Sequence, residues 1–462
     1  MNVVLLRAPN QRFLFSTGLC FLFLFLVAFL YAPAGLRSNL LPKQPALNNT
    51  VLPLKSDRHC AAIADSPDVV VVVKTGANVI YDRLPTQLLT ALKCCKDILI
   101  FSDLEQELGP YHVYDVLQDV SDTVKQSSPD FHYYRTLQEY QRNGLDIRSL
   151  RTTAGDAAWN LDKYKFIHML EKSWQLRPGH DWYVFVEADT YLVWSNLLLW
   201  LKRLDPSEPL YLGSPTYANF EAFAHGGSGI ILSGAAISKV LDNDPDLAAR
   251  YDVLMMHEHF GDYVLMRALK EKGIELSMRW PMLQAERPST IPFGPGPDNG
   301  VRHWCQPIIT MHGVTPGEVD AIWQFEQQRL DVTKPLLMYE LYDYFVDRNL
   351  TTERDDWYNL SDDAMYRAPG VKGDRQKPQE EMSALEKQAY RSFEDCGRAC
   401  EEHPRCYQFV YHDQECGFSF SYRLGRRRLP ENGSDKRYKS GWHLDKIARD
   451  QEANFCRSPQ WL

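Results

Sequence analysis

The sequence predicts an α/β protein with a membrane segment before its main domain and a small cysteine-rich module after it. Three features indicate this organisation. A run of five valines extends from Val69 to Val73, and apolar strands alternate with helix-like stretches after it. The chain begins with a long uncharged stretch and ends with a cluster of cysteines. Its 462 residues correspond to about three structural units at roughly 150 residues per domain.

The composition excludes several classes of protein. Lys and Arg total 51 against 60 Asp and Glu, a formal net charge of −9. Sequence-independent binding of nucleic acid needs many cationic groups to neutralise phosphates, so no nucleic-acid partner is expected. A hydrophobic fraction of 44% is enough for a packed core, and the chain is therefore not globally disordered. The mean hydropathy of −0.38 excludes a protein with many membrane spans and leaves room for one.

A single membrane segment is predicted near the N-terminus. The 24 residues between Arg12 and Arg37 carry no charge. A helix from Phe13 to Tyr31 would cover roughly 28 Å, enough for a thin hydrocarbon core such as that of a Golgi membrane. A signal peptide cleaved after Ala34 is the alternative. We therefore expect three N-terminal segments: a cytosolic tail (1–12), a transmembrane signal-anchor (13–34) and a luminal stem (35–65).

Cysteines and glycosylation sequons place the body of the protein in an oxidising lumen. Nine of the ten cysteines follow the membrane segment. Disulfides persist in such compartments, and Asn-x-Ser/Thr sequons are glycosylated there. We therefore expect a type II topology in which the large C-terminal part is luminal. The predicted glycosylation sites are the four sequons at Asn48, Asn349, Asn359 and Asn432.

The main domain is predicted to span residues 66–346. The valine run after Asp68 is typical of a strand buried on both faces, as in a parallel sheet. Helical spacing from Leu84 to Leu92 and an apolar run from Asp97 to Phe101 complete a βαβ unit. The same alternation continues along the chain. Further strands are expected at Trp182 to Val186, Pro209 to Gly213 and Gly229 to Leu232, and helices at Leu161 to Trp174 and Tyr263 to Lys272.

The C-terminal part is predicted to contain a polar linker (347–387), a cysteine-rich module (388–446) and a tail (447–462). Five cysteines lie within the 61 residues from Cys396 to Cys456, a density that indicates a small domain held by disulfides. The lack of a Cys-x-x-Cys pair argues against redox activity, and zinc binding is an alternative. An odd number of luminal cysteines leaves one thiol free or paired between chains. A homodimer, either disulfide-linked or non-covalent, is therefore one of the expected partners.

Two carboxylates, Glu187 and Asp189, follow the strand predicted at 182–186. Open α/β sheets bind ligands outside the carboxyl ends of their strands. Alternate residues of an extended segment point the same way, so both side chains can converge on one ligand. A hard divalent cation that bridges a diphosphate would fit them. An acidic strand-to-loop transition without a ligand is the alternative.

Six segments in order resemble a known enzyme family. They are Val72-Val73-Lys74-Thr75-Gly76 with Arg83, Asn160 to Lys165, Glu187-Ala188-Asp189, Tyr211-Leu212-Gly213 with His225 to Ser233, Gly261 to Leu265, and Ile309 to Pro316. Together they resemble glycosyltransferase family 31, which includes Fringe and the core 1 β1,3-galactosyltransferases. Within this family they resemble the fungal-type members. The resemblance extends from Val69 to the region of Phe325. It implies the GT-A nucleotide-sugar transferase fold, which has a Rossmann-like sheet.

The resemblance also implies roles for individual residues. Asp189 and His312 would be metal ligands, and Mn²⁺ is the expected ion because imidazole and carboxylate with open water positions suit it. Asp262 would be the catalytic base that takes the proton of the acceptor hydroxyl in an inverting transfer. The remaining site residues would contact substrates: Lys74, Thr75, Arg83, Lys163 and Glu187 the UDP-sugar donor, and Gly226 and Gly227 the sugar or acceptor.

Each of these roles has a structural alternative. His312 could be an ordinary structural histidine, and Asp262 could be the N-cap of the helix that follows it. The glycines at 226–229 could form a tight turn before a strand, and the basic residues could be surface charges. Glu187 and Ala188 also depart from the family, which commonly has Asp at both positions. Fewer carboxylates would weaken metal binding.

The cysteine spacing Cys396-x₃-Cys400-x₅-Cys406-x₉-Cys416 resembles a PAN/apple module. This resemblance implies the nested disulfides Cys396–Cys416 and Cys400–Cys406, and an α+β fold that binds proteins or carbohydrates. Arg423 and the basic run Arg426-Arg427-Arg428 could meet an acidic glycan or form a solvated loop.

These features predict a Golgi membrane enzyme with a luminal catalytic domain. It would transfer a hexose, with inversion, from a UDP-sugar to a glycan acceptor on protein or lipid. The resemblance first implies galactose in β1,3 linkage, as in an N-acetylgalactosaminide β1,3-galactosyltransferase. The alternative is a non-catalytic luminal protein with a degenerate transferase fold that binds glycans or acts as a chaperone. Cleavage after Ala34 would instead give a secreted carbohydrate-binding protein.

Overall fold

The computed structural model describes Cys60 and residues 67–242, 244, 246–296, 303–329, 331–430 and 436–462. The expected cytosolic tail (1–12), transmembrane segment (13–34) and stem (35–65, apart from Cys60) lie outside the described residues. So do two of the four sequons, Asn48 and Asn432. Among the residues that are described, no helix has the length and apolar character required to cross a membrane.

The described strands are short, and most belong to one large and one smaller sheet. In chain order they are β1 (Val69–Lys74), β2 (Asp97–Ser102), β3 (Gln106–Leu108), β4 (Tyr111–Asp115), β5 (Trp182–Glu187), β6 (Tyr191–Leu192), β7 (Tyr211–Gly213), β8 (Pro215–Ala218), β9 (Glu221–Ala224), β10 (Ile230–Ser233), β11 (Leu276–Met278), β12 (Leu283–Gln284), β13 (Thr310–Met311), β14 (Glu353–Asp355), β15 (Trp357–Tyr358), β16 (Ala364–Tyr366), β17 (Gln408–His412), β18 (Glu415–Ser419), β19 (Arg426–Arg427) and β20 (Lys439–Trp442).

The described α-helices connect these strands and close the C-terminal part. They are α1 (Ile80–Leu89), α2 (Asp122–Ser127), α3 (Phe131–Arg142), α4 (Ala157–Asp162), α5 (Lys165–Leu176), α6 (Trp194–Leu201), α7 (Gly234–Leu241), α8 (Leu247–Met255), α9 (Gly261–Glu271), α10 (Pro316–Gln327), α11 (Met338–Phe345), α12 (Phe393–Glu402) and α13 (Leu444–Ala453).

The valine run forms the centre of the main sheet. This sheet has eight strands in the order β11-β7-β10-β5-β1-β2-β4-β3. β1 lies parallel to β2 and to β5. Its alternate side chains enter two different apolar clusters, Val70 and Val72 on one face and Val69, Val71 and Val73 on the other. Because successive side chains of a strand point to opposite faces, β1 is buried on both sides.

The expected fold class is wrong for the described residues. The sequence predicted a Rossmann-like GT-A sheet, a small PAN-like module and a transmembrane helix. The structure is instead a mixed α/β protein with several sheets, of eight, five, three, two and two strands, and no described helix could span a membrane. In the main sheet, β10 runs antiparallel to both of its neighbours, β5 and β7. An apolar run predicts a buried strand but carries no information about its direction.

The C-terminal sheet recruits strands from the segment predicted to be a linker. Its order is β14-β20-β17-β18-β16, and β14 and β16 both come from residues 347–387. Helix α12 presents Cys396 and Cys400 on its buried face. Disulfides join Cys396 to Cys416 and Cys400 to Cys406, the two pairs that the PAN/apple resemblance implied.

Two more disulfides account for the other cysteines of the described residues except one. Cys60 is bonded to Cys94, and Cys305 is bonded to Cys456. Cys95 is the free cysteine of the described part of the chain. Burial raises the pKa of its thiol, which disfavours the reactive thiolate.

The cysteine-rich part and the main domain share an apolar core. One cluster of buried residues contains Phe293 and Trp304 from the main domain together with Tyr422 and Trp442 from the C-terminal part. Phe293 and Tyr422 also exchange backbone hydrogen bonds, at N···O distances of 3.1 and 2.7 Å. The disulfide between Cys305 and Cys456 links the two parts a second time.

Candidate functional site

Three side chains with potential metal ligands meet at the carboxyl end of β5. Glu187, Asp189 and His312 each offer one ligand atom, and these atoms lie within 4.8 Å of one another. The Nε2 atom of His312 is 3.6 Å from Asp189 Oδ1 and 3.8 Å from Glu187 Oε2. These distances are long for hydrogen bonds, so the three groups converge without satisfying one another.

Backbone pairing explains how residues far apart in sequence reach this point. β13 pairs antiparallel with β6, and Met311 lies opposite Tyr191 in this register. His312 follows β13 directly, and the backbone N–H of Val314 donates to the carbonyl of Asp189 at 3.1 Å. The short second sheet therefore brings the imidazole against the turn that carries the two carboxylates.

The residues at this point fit a divalent metal ion. Asp189 Oδ1 is buried and has no hydrogen-bond partner among the described residues. A buried carboxylate oxygen without a partner is costly, and a cation would satisfy it. Two carboxylates and an imidazole form a donor set that suits Mn²⁺ and related ions. The identity of the ion stays a prediction from the sequence.

The charges around the candidate ligands shift the pKa values of Glu187 and His312. Burial alone would raise the pKa of Glu187, but Lys74 and His312 outweigh it and hold the pKa well below its usual value. Burial would lower the pKa of His312, and the carboxylates of Glu187 and Asp189 outweigh it, so that this pKa is raised. Glu187 is therefore anionic over the physiological pH range, whereas His312 has to be deprotonated before it can bind a metal ion.

A buried network of charges lies behind the candidate ligands. Lys74 contacts Asp162, and its Nζ is 3.0 Å from Glu187 Oε1. Lys165, only 1% exposed, places Nζ 2.9 Å from Asp162 Oδ1 and 3.0 Å from Asp103 Oδ2. Burial favours the neutral lysines, yet the surrounding carboxylates raise the pKa of Lys74 and of Lys165. Both amines stay cationic beside the carboxyl ends of β1 and β5.

The structure brings most of the predicted donor-binding residues together. Arg83 Nη1 lies 3.1 Å from Asp189 Oδ2, on the side away from His312. Thr75 follows Lys74 at the end of β1, and its hydroxyl is buried without a partner among the described residues. One region of the sheet edge is thus surrounded by four of these residues, Lys74, Thr75, Arg83 and Glu187.

Lys163 does not join this group. Its ammonium pairs with Asp130 at 3.0 Å, and Lys165 occupies the place in the charge network instead. Neither Lys165 nor Asp162 was among the residues predicted for the site. The sequence placed both residues in the segment Asn160 to Lys165, but it did not show which of its side chains face the sheet.

Asp262 lies in the first turn of α9, and the alternative role of N-cap does not apply to it. The N-cap position is Phe260, which makes no side-chain cap. Asp262 Oδ2 accepts a hydrogen bond from the backbone N–H of Gly226 at 2.8 Å. Burial raises the pKa of Asp262 to about 6, although the Gly226 N–H and the charge of Lys74 oppose the shift. The carboxylate is thus both fixed in position and unusually basic.

The two predicted glycines connect Asp262 with the candidate metal ligands. A Cβ atom at Gly227 would lie 2.5 Å from Nε2 of His312, and one at Gly226 would lie 2.6 Å from the ring of Phe166. The hydroxyl of Thr190 donates to the carbonyl of Gly227 at 2.7 Å. Only glycine permits this close approach, so the turn 226–228 packs between Asp262 and His312.

The predicted glycosylation sites differ in their surroundings. Asn349 is exposed, and its glycosylation stays a prediction. Asn359 is fully buried, and its Nδ2 atom donates to the carbonyl of Phe409 at 3.1 Å. A glycan is attached through that nitrogen, so the predicted glycosylation of Asn359 is wrong for the folded protein.

No protein-family model matches the chain. The physical evidence on function is therefore the site itself. It combines a convergent group of potential metal ligands, the buried cation Lys74, and the basic carboxylate of Asp262 across a glycine turn. Such an arrangement can hold a cation and an anionic phosphate group beside a proton acceptor.

Proposed function

We propose that the protein is an inverting glycosyltransferase that moves a hexose from a UDP-sugar to a glycan acceptor on protein or lipid. The convergence of Glu187, Asp189 and His312 beside a buried lysine, with Asp262 across the glycine turn, is the observation that supports this proposal. Departure of a nucleoside diphosphate develops negative charge, and fixed cations at that point lower the barrier.

A divalent metal held by Asp189 and His312 would supply Lewis-acid stabilisation of the diphosphate. The chain itself adds two cations. Lys74 is held between Asp162 and Glu187, which fixes its ammonium before substrate arrives. Arg83 is partly exposed at its contact with Asp189 and can offer its free guanidinium edge to a phosphate oxygen.

Asp262 would act as the general base. In an inverting transfer one carboxylate takes the proton of the acceptor hydroxyl while that oxygen attacks the anomeric carbon. Burial raises the pKa of Asp262 to about 6, so the group is ionised at neutral pH and still a better base than an exposed aspartate. Backbone N–H groups of Gly226 and Tyr263 each donate to one oxygen of Asp262, at 2.8 and 3.0 Å, and each oxygen keeps a lone pair for the acceptor.

The finer details of this proposal come from the resemblance to glycosyltransferase family 31. They are Mn²⁺ as the ion, galactose as the first donor to test, a β1,3 linkage, and a type II setting in the Golgi lumen. The direct test is to incubate the purified protein with Mn²⁺ and a panel of UDP-sugars and to measure UDP release with and without glycan acceptors. Absence of release with every donor would argue strongly against an enzyme.

A non-catalytic glycan-binding or chaperone-like role is the second candidate. It is favoured by the cations that already neutralise both carboxylates, Lys74 at Glu187 and Arg83 at Asp189. In that case the charges would be satisfied without a metal. Glycan or partner binding would then be unchanged in Asp262→Asn, whereas an enzyme would lose turnover and keep its affinity for UDP.

A further inference from the structure

A second group of polar side chains lies where the main domain meets the cysteine-rich part. His303 is only 3% exposed, and neither of its ring nitrogens has a hydrogen-bond partner among the described residues. The rings of Trp280 and Phe293 flank it, with centroids at 4.5 and 6.4 Å. Buried polar groups are nearly always paired in native proteins, so an imidazole with both nitrogens free requires an explanation.

Arg423 approaches the same place from the cysteine-rich part. The preceding residue, Tyr422, exchanges both of its backbone hydrogen bonds with Phe293. The Nε atom of Arg423 is buried and has no partner among the described residues. Burial, together with the nearby charge of Arg423, lowers the pKa of His303 to about 3, so the imidazole stays neutral beside the guanidinium.

The carboxylates that face Arg423 are occupied by other groups. Asp363 accepts hydrogen bonds from the backbone N–H of Phe420 and the hydroxyl of Ser419. Glu286 accepts one from the hydroxyl of Thr290. Within the described residues, no carboxylate lies close enough to Arg423 to form an ion pair with it. Asp362, which also acts on Arg423, forms an ion pair with Arg375 at 2.9 Å. A partly buried guanidinium without a direct ion-pair partner can gain one from a ligand.

This place is connected to the candidate metal ligands. Burial lowers the pKa of both Arg423 and His225, and the carboxylate of Glu286 partly offsets the shift at each of them. Glu286 is therefore close enough to act electrostatically on both groups. The ring of His225 is in turn 5.4 Å from the ring of His312.

We propose that His303 and Arg423, with the indole of Trp280, bind an anionic oxygen group carried by a saccharide. The guanidinium matches the two oxygens of a carboxylate or sulfate, and the neutral imidazole donates one N–H. Trp280 is 38% exposed and offers an apolar face to a sugar ring. The use of this site for a transferase acceptor rests on the proposed function, whereas anion binding does not.

The test is calorimetric titration of the full chain, without UDP-sugar or Mn²⁺, with glucuronic acid, its neutral methyl ester and glucose 6-sulfate. We expect at least one of the two anions to bind about tenfold or more tightly than the ester, because the ester lacks the charge. The preferred anion identifies the natural group as carboxylate or sulfate. Arg423→Gln should weaken anion binding by at least about tenfold, whereas Arg427→Gln, on the exposed strand β19, should leave it unchanged.

His303→Asn provides a second variant in case Arg423→Gln does not fold, and it should also weaken the anion and leave the ester unaffected. Equal affinity of the intact chain for the two anions and the ester, or equal behaviour of the Arg423 and Arg427 variants, would overturn the proposal. A chain that binds the anion but releases no UDP would refute the proposed enzyme and leave this site standing. A chain that transfers sugar but does not distinguish acid from ester would refute only this site.

Discussion

The carboxylate of Asp262 accepts a hydrogen bond from the backbone N–H of Gly226 at 2.8 Å. The next residue, Gly227, packs directly against the imidazole of His312. One turn therefore fixes the distance between a basic carboxylate and a group of potential metal ligands. A reaction that needs a base on one side and a stabilised leaving group on the other requires such a fixed separation.

Asp262→Asn is the first test of the proposed base. Asparagine keeps the size of the side chain and can still accept the Gly226 hydrogen bond, but it cannot take a proton. We expect the turnover rate to fall by about 10²–10⁴-fold, the range for a lost general base. Affinity for UDP, measured by titration, should change little because Asp262 does not lie among the donor-binding residues.

The matched control is Asp320→Asn, on the exposed face of α10. It makes the same chemical change away from the site and should leave turnover as it is. If Asp262→Asn retained full turnover, another group would have to be the base. Loss of UDP binding as well would point to a structural role for Asp262.

Gly227→Ala tests the close approach of the turn to His312. The added Cβ would lie 2.5 Å from Nε2, and the imidazole would have to move. We expect the affinity for Mn²⁺ to fall by about 10–100-fold, comparable with the loss of a residue that orients a metal ligand. Calorimetric titration of the variant and of the intact protein with Mn²⁺ measures this change in affinity.

The control for this variant is Gly317→Ala, because a Cβ there meets nothing within 4 Å. Gly317 also lies in the first turn of α10, where alanine is well tolerated. Unchanged Mn²⁺ affinity in Gly227→Ala would mean that His312 does not bind the ion through Nε2.

Removal of a metal ligand is a more direct test. Asp189→Asn should abolish measurable Mn²⁺ binding, since the variant loses an anionic ligand and leaves Arg83 without its partner at 3.1 Å. EDTA should likewise stop UDP release from the intact protein, and added Mn²⁺ should restore it. Asp374→Asn, an exposed carboxylate of the C-terminal part, is the comparison. Full activity in EDTA would show that Lys74 and Arg83 stabilise the leaving group without a metal.

The valine run and the strand before Glu187 were predictable because apolar periodicity reports burial. β1 and β5 begin within one residue of the expected positions. The direction of β10 and the second sheet were not predictable, because they depend on pairing between residues distant in sequence. Helix α1 covers Ile80–Leu89 rather than the expected 84–92, and it contains Pro85 inside its first turns. A proline suits the first turn of a helix and normally kinks or ends its interior, so residue preferences place the start of this helix next to Pro85 and not five residues before it.

In the candidate site, too, local patterns were predictable and long-range packing was not. Glu187 and Asp189 were identified from their place after a strand, and that inference used only local geometry. The sequence could not distinguish Lys163 from Lys165, because the two lysines lie only two positions apart, just after α4 and at the start of α5. Only packing decides which one faces the sheet. His303 carried no signal in the sequence. Arg423 was identified only as part of a basic run, and its place near His303 depends on pairing between distant parts of the chain.

Glu326→Gln tests a titration in the core below Tyr191. Burial raises the pKa of Glu326 to about 7, while the hydrogen bond from Tyr191 opposes the shift. The folded-state pKa thus exceeds the reference value of 4.5, so folding favours the protonated acid. Its full contribution to stability is present below pH 4.5 and is lost as the pH rises to about 7. We expect the free energy of unfolding of the intact protein to fall over this window by up to about 3 kcal/mol from this group.

In Glu326→Gln that part of the pH dependence should vanish, whereas the exposed Glu381→Gln should keep it. Urea unfolding at pH 5 and pH 8 measures both, and identical pH slopes in the two variants would contradict the burial of an ionisable Glu326.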